Sequence, residues 1–206
     1  NCDGNVIIGR IRGKLKMVKI AVSGAHGTGK TTLCEFLHRT SGAELDMAIC
    51  REVPRIIIDR VGEPSFFKRG SNTVERQLLI FLYQLEEERK KGSGKNVLLC
   101  DRTPIDHLAY TLANHPKFRG SPEHTALTGL IEDWLNTFDL IFKVPIEFAL
   151  QDDGVREGAA DFQTEINDSI DALYAEFRIS TIGVTGSVED RAEQIVGAIR
   201  RFQGNT

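Results

Sequence analysis

The sequence predicts an α/β fold: a parallel sheet covered by helices on both faces. Two observations carry that expectation. Short apolar runs alternate with helical patterns along nearly the whole chain, and one strand-to-helix junction bears the glycine-rich pattern GxxxxGKT at 24–31. The pattern follows the apolar run 17–22 directly and opens a helical pattern, the context in which its chemistry works. Gly24, Gly27 and Gly29 let backbone N–H groups turn inward around a phosphate chain, with Ala25, His26, Thr28 and Thr32 completing the loop. Lys30 adds a point charge against β- and γ-phosphates, the Thr31 hydroxyl can ligate Mg²⁺, and the following helix aims its positive end at the same place.

Each element has a local reason. Residues 17–23 read as a buried strand. Residues 30–40 read as the loop's helix, with Leu33, Phe36 and Leu37 inward and Gly42 placed to stop it. Ala48, Ile49 and Cys50 end a second strand. Residues 72–91 form a long helix with Val74, Leu78, Leu82 and Leu85 as the inward face and Glu86–Lys90 and Glu87–Lys91 pairs on a solvated one. Gly92 and Gly94 break it. The run 96–100 is a third strand, and 104–114 a helix with Thr103 as N-cap and Pro104 at its first position. Residues 117–124 read as a polar loop and 125–136 as a helix burying Leu127, Leu130, Ile131 and Trp134. Then come a strand at 139–144, a glycine-bearing charged loop at 151–160 and an amphipathic helix at 161–178. A strand at 180–184 and a helix at 187–202, capped by Ser187, close the fold.

The 206 residues suit one domain with a real core. Residues 1–16 read as a leader or extension outside it, and 17–206 as the domain. A net charge of −3 and the lack of a basic, aromatic-interleaved run disfavour a nucleic-acid partner. No apolar run approaches the roughly 20 residues that cross a bilayer. Cys2, Cys34, Cys50 and Cys100 have no metal-type spacing and read as reduced thiols of a cytoplasmic protein, without disulfide or zinc. The five histidines form no ligand-spaced cluster.

In parallel sheets ligands bind at the carboxyl ends of the strands. Charged residues stand there after strand upon strand. Asp101 ends an apolar run and can hold Mg²⁺ beside Thr31. Glu52 is the candidate general base for a hydroxyl acceptor, flanked by Arg51 and Arg55, which can hold an anionic group of that acceptor. Arg102 can reach phosphate or substrate, or pair with a neighbouring carboxylate. Arg156, with Asp152 and Asp153, lies in a loop suited to bring an arginine onto a transferring phosphate. Lys68 and Arg69, beside Phe66 and Phe67, read as a solvated loop. Asp106, third in its helix, fits a capping role at least as well as a catalytic one.

Together GAHGTGKTTL at 24–33, REVPR at 51–55, LLCDRTPIDHLAY at 98–110 and DDGVRE at 152–157 resemble a P-loop kinase-like, AAA-type ATPase family. That family includes the ribosylnicotinamide-kinase domain of the bacterial NAD-biosynthesis regulator. More distantly, Glu52 and Asp101-Arg102 resemble motifs of deoxyribonucleoside kinases. The resemblance spans about 17–202. It implies a P-loop NTPase three-layer sandwich with strand order 2-3-1-4-5, ATP and Mg²⁺ as cofactors, and phosphoryl transfer to a small nucleoside-like hydroxyl acceptor. It further implies that Thr185, Gly186 and Ser187 lie near the adenine. No stretch resembles a nucleotidyltransferase or DNA-binding domain, so the bifunctional regulator's role is not expected. The alternatives are a nucleotide-dependent switch with a protein partner, without an NKxD-type guanine motif, and a kinase acting on a nucleotide or nucleic acid. A homodimer is the expected assembly, if any.

Overall fold

The computed structural model describes residues 17–53, 74–147 and 159–204. The expected leader, Arg55, Lys68, Arg69, Asp152, Asp153 and Arg156 lie outside these residues. Five strands, β1 (Val18–Ser23), β2 (Met47–Cys50), β3 (Val97–Asp101), β4 (Leu140–Lys143) and β5 (Ile182–Gly183), form one parallel sheet ordered β2-β3-β1-β4-β5. This is the order the resemblance implies. The six helices among the described residues are α1 (Lys30–Ser41), α2 (Val74–Gly92), α3 (Pro104–Asn114), α4 (Pro122–Leu135), α5 (Ala159–Glu176) and α6 (Val188–Gly204).

The central strand β1 shows why the layers form. Its six residues are all buried, and successive side chains leave opposite faces. Val18, Ile20 and Val22 join Leu33 and Leu37 of α1 and Ile195 and Ile199 of α6 in one core. A second core packs Phe81 of α2, Leu108 of α3, Ile131 and Trp134 of α4, and Ile166 and Ile170 of α5. Each fully buried aliphatic or aromatic side chain contributes about 1.5–3 kcal/mol. Register fixes where the strands end: Val22 lies opposite Asp101, and Cys50 opposite Cys100. The turn after β1 is therefore level with the turns after β2 and β3.

Three expectations are corrected. Leu130, read as buried with Leu127, Ile131 and Trp134, is exposed on the outer side of its helix. Helix α4 begins at Pro122, not at 125, because Ser121 accepts a hydrogen bond from the His124 N–H at 3.0 Å and Pro122 occupies the first helical position. A one-turn 3₁₀ helix, Pro116–Phe118, also lies in the stretch read as loop. The largest correction concerns α2. Val74 and Leu78 pack against the second core as expected, but Leu82 and Leu85 face solvent, while Gln77, Ile80, Phe81, Gln84, Glu87 and Glu88 are buried. Only the Glu86–Lys90 pair is on the solvated side as expected (2.8 Å).

The reason is a charge in the sheet. Lys19 of β1 is buried and needs a counter-charge. Glu88 supplies it at 2.7 Å. The same carboxylate accepts hydrogen bonds from Trp134 Nε1 (2.8 Å) and Gln84 Nε2 (2.9 Å). Lys19 Nζ also donates to Thr137 Oγ1 at 2.6 Å and lies 4.0 Å from the Phe138 ring centre. A polar stripe thus turns α2 away from the rotation its leucines suggest.

Two stability predictions follow from these cores. Glu88→Ala strands the Lys19 charge and the Trp134 and Gln84 donors, and is expected to cost about 3–5 kcal/mol in urea unfolding. Glu88→Leu combined with Lys19→Met should recover most of that loss. His107 of α3 packs edge-on against Phe81, 5.6 Å between ring centres. Burial, and next the positive Arg102, lower its pKa from 6.5 to about 4, against the opposing pull of Asp106 and Glu52. The unfolded chain therefore binds a proton between these values that the folded chain refuses. The His107 contribution is complete above about pH 6.5 and is lost as pH falls toward about 4, on the order of 3 kcal/mol. Urea unfolding of wild type and His107→Gln at intervals across that range should show the slope flattened in the variant.

Candidate phosphate-binding site

The loop after β1 is shaped by backbone demands. Gly24 has φ 148°, and a Cβ there would lie 2.5 Å from the Val144 carbonyl oxygen, so no side chain fits. Gly29 caps α1 in the left-handed region, at φ 84° and ψ 13°. Lys30 is buried and its Nζ donates to the Ala25 carbonyl at 2.5 Å, with Thr28 Oγ1 at 3.4 Å. Burial, then repulsion from Arg102, lowers its pKa to about 8. The ammonium therefore folds over the loop it would share with a phosphate.

The metal candidates meet. Thr31 Oγ1 donates to Asp101 Oδ2 at 2.7 Å, while Asp101 Oδ1 is buried without a hydrogen-bond partner. Burial raises the Asp101 pKa, against the bond from Thr31. An orphaned carboxylate oxygen beside a hydroxyl suits Mg²⁺, which takes one or two protein oxygens and keeps several waters. Among the described residues no group of three or more His, Cys, Asp or Glu could hold a metal. A site of this kind needs none.

Glu52 and Arg102, both marked by the sequence, form an ion pair: Arg102 Nε lies 2.8 Å from Glu52 Oε1, and both side chains are largely buried. Burial works against the guanidinium charge, but Glu52, followed by Tyr110, Asp106 and Asp101, outweighs it and holds the pKa above the usual arginine value. Arg102 takes φ 97°, a strained value for a residue with a side chain. Its N–H bonds the Val22 carbonyl at 3.0 Å, and its guanidinium carbon lies 5.2 Å from the Tyr110 ring centre. Arg51 is not brought to this group. It is exposed and lies 3.8 Å from Glu35 of α1.

Asp106 does more than cap. Its Oδ2 accepts from the Thr103 N–H (2.8 Å) and Oγ1 (2.7 Å), completing a capping box. Its Oδ1 accepts the Gly24 N–H at 2.8 Å. One buried carboxylate thus joins the glycine loop to the turn that carries Asp101 and Arg102. His26 is held between α3 and α5: its N–H donates to Tyr110 Oη at 3.0 Å, its ring lies 5.7 Å from Phe162, and its carbonyl accepts from Gln163 Nε2 at 2.6 Å.

Thr185, Gly186 and Ser187 form an exposed turn before α6, where Ser187 and Asp190 cap reciprocally at 2.9 and 3.1 Å. Sequence reasoning missed what links this turn to the glycine loop. Arg191, buried in α6, donates to the Thr28 carbonyl at 3.1 Å and to Glu147 Oε2 at 2.7 Å. The same Glu147 oxygen accepts the Gly186 N–H at 3.2 Å. The separations of 163 and 44 residues leave no local signal.

Known proteins match this architecture. A NadR protein in complex with NR has TM-score 0.70 at 18% identity, covering 91% of this chain and 52% of its own. The chain thus spans about half the length of that NadR protein. A thymidylate kinase from Ehrlichia chaffeensis has TM-score 0.58 at 16% identity, over 89% of this chain and 98% of its own. A thymidylate kinase from Candida albicans has TM-score 0.58 at 17% identity, over 91% and 93%. At such identities the likeness establishes the fold, a P-loop NTPase sandwich. No curated protein matches by sequence. No helix among the described residues is long and apolar enough to cross a membrane. The family described as an AAA domain matches residues 19–191, most of the chain, and to that family the chain belongs.

Proposed function

We propose that the protein is an ATP-dependent phosphotransferase that moves the γ-phosphate onto a hydroxyl of a small, nucleoside-like acceptor. The observation that carries this reading is convergence: Lys30, the Thr31–Asp101 pair and the Glu52–Arg102 pair all belong to the same end of the sheet. A nucleotide-binding loop alone accounts for the first two groups. A buried carboxylate–guanidinium pair beside them is what an acceptor hydroxyl and a transferring phosphoryl group require.

In this reading the loop at 24–31 cradles the phosphates and Lys30 swings from the Ala25 carbonyl onto the β- and γ-oxygens. Thr31 and Asp101 would hold Mg²⁺, which when bound neutralises charge on the β- and γ-phosphates. The acceptor oxygen bonds to the γ-phosphorus as the bond to the β–γ bridging oxygen breaks. ADP leaves, and the acceptor's proton passes to the Glu52 carboxylate. Arg102 stabilises the charge on the transferring group while orienting Glu52. Arg55 serves the acceptor side, Arg156 closes from the loop before α5, and Thr185, Gly186 and Ser187 border the adenine. The small nucleoside-like acceptor is supported by the likeness to the NadR protein in complex with NR, while the likeness to thymidylate kinases supports a nucleotide as the alternative acceptor.

One observation favours a second reading. Glu52 Oε1 is already engaged by Arg102 at 2.8 Å, an arrangement a non-transferring, nucleotide-dependent switch could also keep. The two readings separate in one assay. Purified protein, ATP and Mg²⁺ are incubated with a nucleoside panel, and phosphorylated product is sought by mass spectrometry. The kinase reading expects product from at least one nucleoside. Glu52→Gln is expected to lower its rate of formation at least about 100-fold, with ATP affinity nearly unchanged. Slow ADP release with no phosphorylated nucleoside, identical in the variant, would favour the switch.

A further inference from the structure

Two peptide groups of the glycine loop are gripped from helices far away in sequence. Gln163 of α5 is buried and donates from Nε2 to the His26 carbonyl at 2.6 Å. Arg191 of α6 is buried and donates from Nη1 to the Thr28 carbonyl at 3.1 Å, while Glu147 holds its Nη2 at 2.7 Å. Each of these carbonyls is followed by a glycine with positive φ, 74° at Gly27 and 84° at Gly29. A flanking glycine lets a peptide plane turn over at little steric cost, so local sterics do not decide which way these two planes face. The plane before them shows that the loop accepts the opposite sense. Its Ala25 carbonyl turns inward to Thr28 Oγ1 and Lys30 Nζ, and its His26 N–H turns outward to Tyr110 Oη.

We propose that Gln163 and Arg191 are positioning residues that aim the Gly27 and Gly29 N–H groups at the phosphate chain. In a trans peptide the carbonyl and the following N–H point in opposite directions, and no cis bond occurs among the described residues. A carbonyl drawn toward α5 or α6 therefore turns the next N–H back into the loop. Gln163 sets the Gly27 N–H in this way, and Arg191 sets the Gly29 N–H. Among the described residues neither N–H has a hydrogen-bond partner in the protein. Arg191 also runs close beside its glycine: a Cβ on Gly29 would lie 3.7 Å from Nη1. Without either side chain the matching carbonyl is free to turn inward, where its oxygen repels phosphate. The proposal rests on the reading of this loop as a phosphate cradle, and adds to it two residues that act through the loop's backbone.

Amide NMR of the whole chain, titrated with MgATP and separately with magnesium tripolyphosphate, tests this. In the wild type the assigned Gly27 and Gly29 amide protons are expected to move downfield with either ligand, as N–H groups that donate to an anion do. Gln163→Met should lose the Gly27 shift and keep the Gly29 shift, and Arg191→Met should do the reverse. Each variant should bind both ligands at least about fivefold more weakly, as the loss of one hydrogen bond to a charged group requires. Arg191→Lys, with one nitrogen in place of the two that serve Thr28 and Glu147, reports on the same glycine if Arg191→Met does not fold. Both shifts retained in both variants would overturn the proposal. So would loss of both shifts together in each variant, which a general loosening of the loop produces. Weaker MgATP binding with tripolyphosphate binding unchanged would overturn it as well, by placing the effect at the nucleoside. A wild type whose two glycines move with neither ligand would overturn the phosphate-cradle reading, and the proposal with it.

Discussion

The carboxylate of Asp106 is the contact on which the site depends. It has two oxygens and spends them on two different strand ends. One holds the Gly24 N–H, where the chain leaves β1, and the other holds Thr103, where it leaves β3. These turns carry most of the chemistry: Lys30 and Thr31 on one side, Asp101 and Arg102 on the other. Parallel pairing of β1 with β3 brings the strand ends level, but level ends do not aim side chains. A buried carboxylate with three short hydrogen bonds does, because each donor would be costly to leave unsatisfied. The strained φ of Arg102 is tolerated in the same setting, between the Val22 carbonyl and the Glu52 carboxylate.

A second buried ion pair, Lys19–Glu88, sets the orientation of α2, with consequences for the outer surface. Glu88 engages Lys19, Trp134 and Gln84, so the helix rotates to bury polar residues beside Ile80 and Phe81. Leu79, Leu82 and Leu85 are displaced outward, while Leu78 stays against the second core. Arg191 and Glu147 repeat the theme near the nucleotide loop, tying α6 and the turn at 185–187 to the Thr28 carbonyl. In all three places a buried charge fixes relations between elements that apolar packing leaves free to slide.

Much of this was legible in the sequence, for physical reasons. Strands buried on both faces leave predominantly apolar runs, and β1 (despite Lys19), β3 and β4 were found on that account. The glycine loop was legible because its spacing is dictated by backbone geometry. Strand order came from the resemblance rather than from any residue pattern. The rotation of α2 was illegible because a leucine periodicity cannot reveal that a lysine one strand away needs Glu88. Glu52 and Arg102 were both marked, but their pairing depends on β2 lying beside β3. Ser121 and Pro122 did carry a readable helix start, and reading the stretch as polar loop passed over it. Arg191 and Glu147 act through partners distant in sequence, and no local spacing marks them.

One side chain carries the weight of the site, and a single measurement tests that directly. An asparagine at 106 has one acceptor oxygen instead of two, so it can satisfy Gly24 or Thr103 but not both. Calorimetric titration of MgATP into wild type and Asp106→Asn, with circular dichroism confirming that both are folded, separates the outcomes. The expected result is an affinity at least about tenfold weaker in the variant, the loss of about 1.4 kcal/mol. An unchanged affinity in a folded Asp106→Asn protein would contradict the claim that this carboxylate assembles the site.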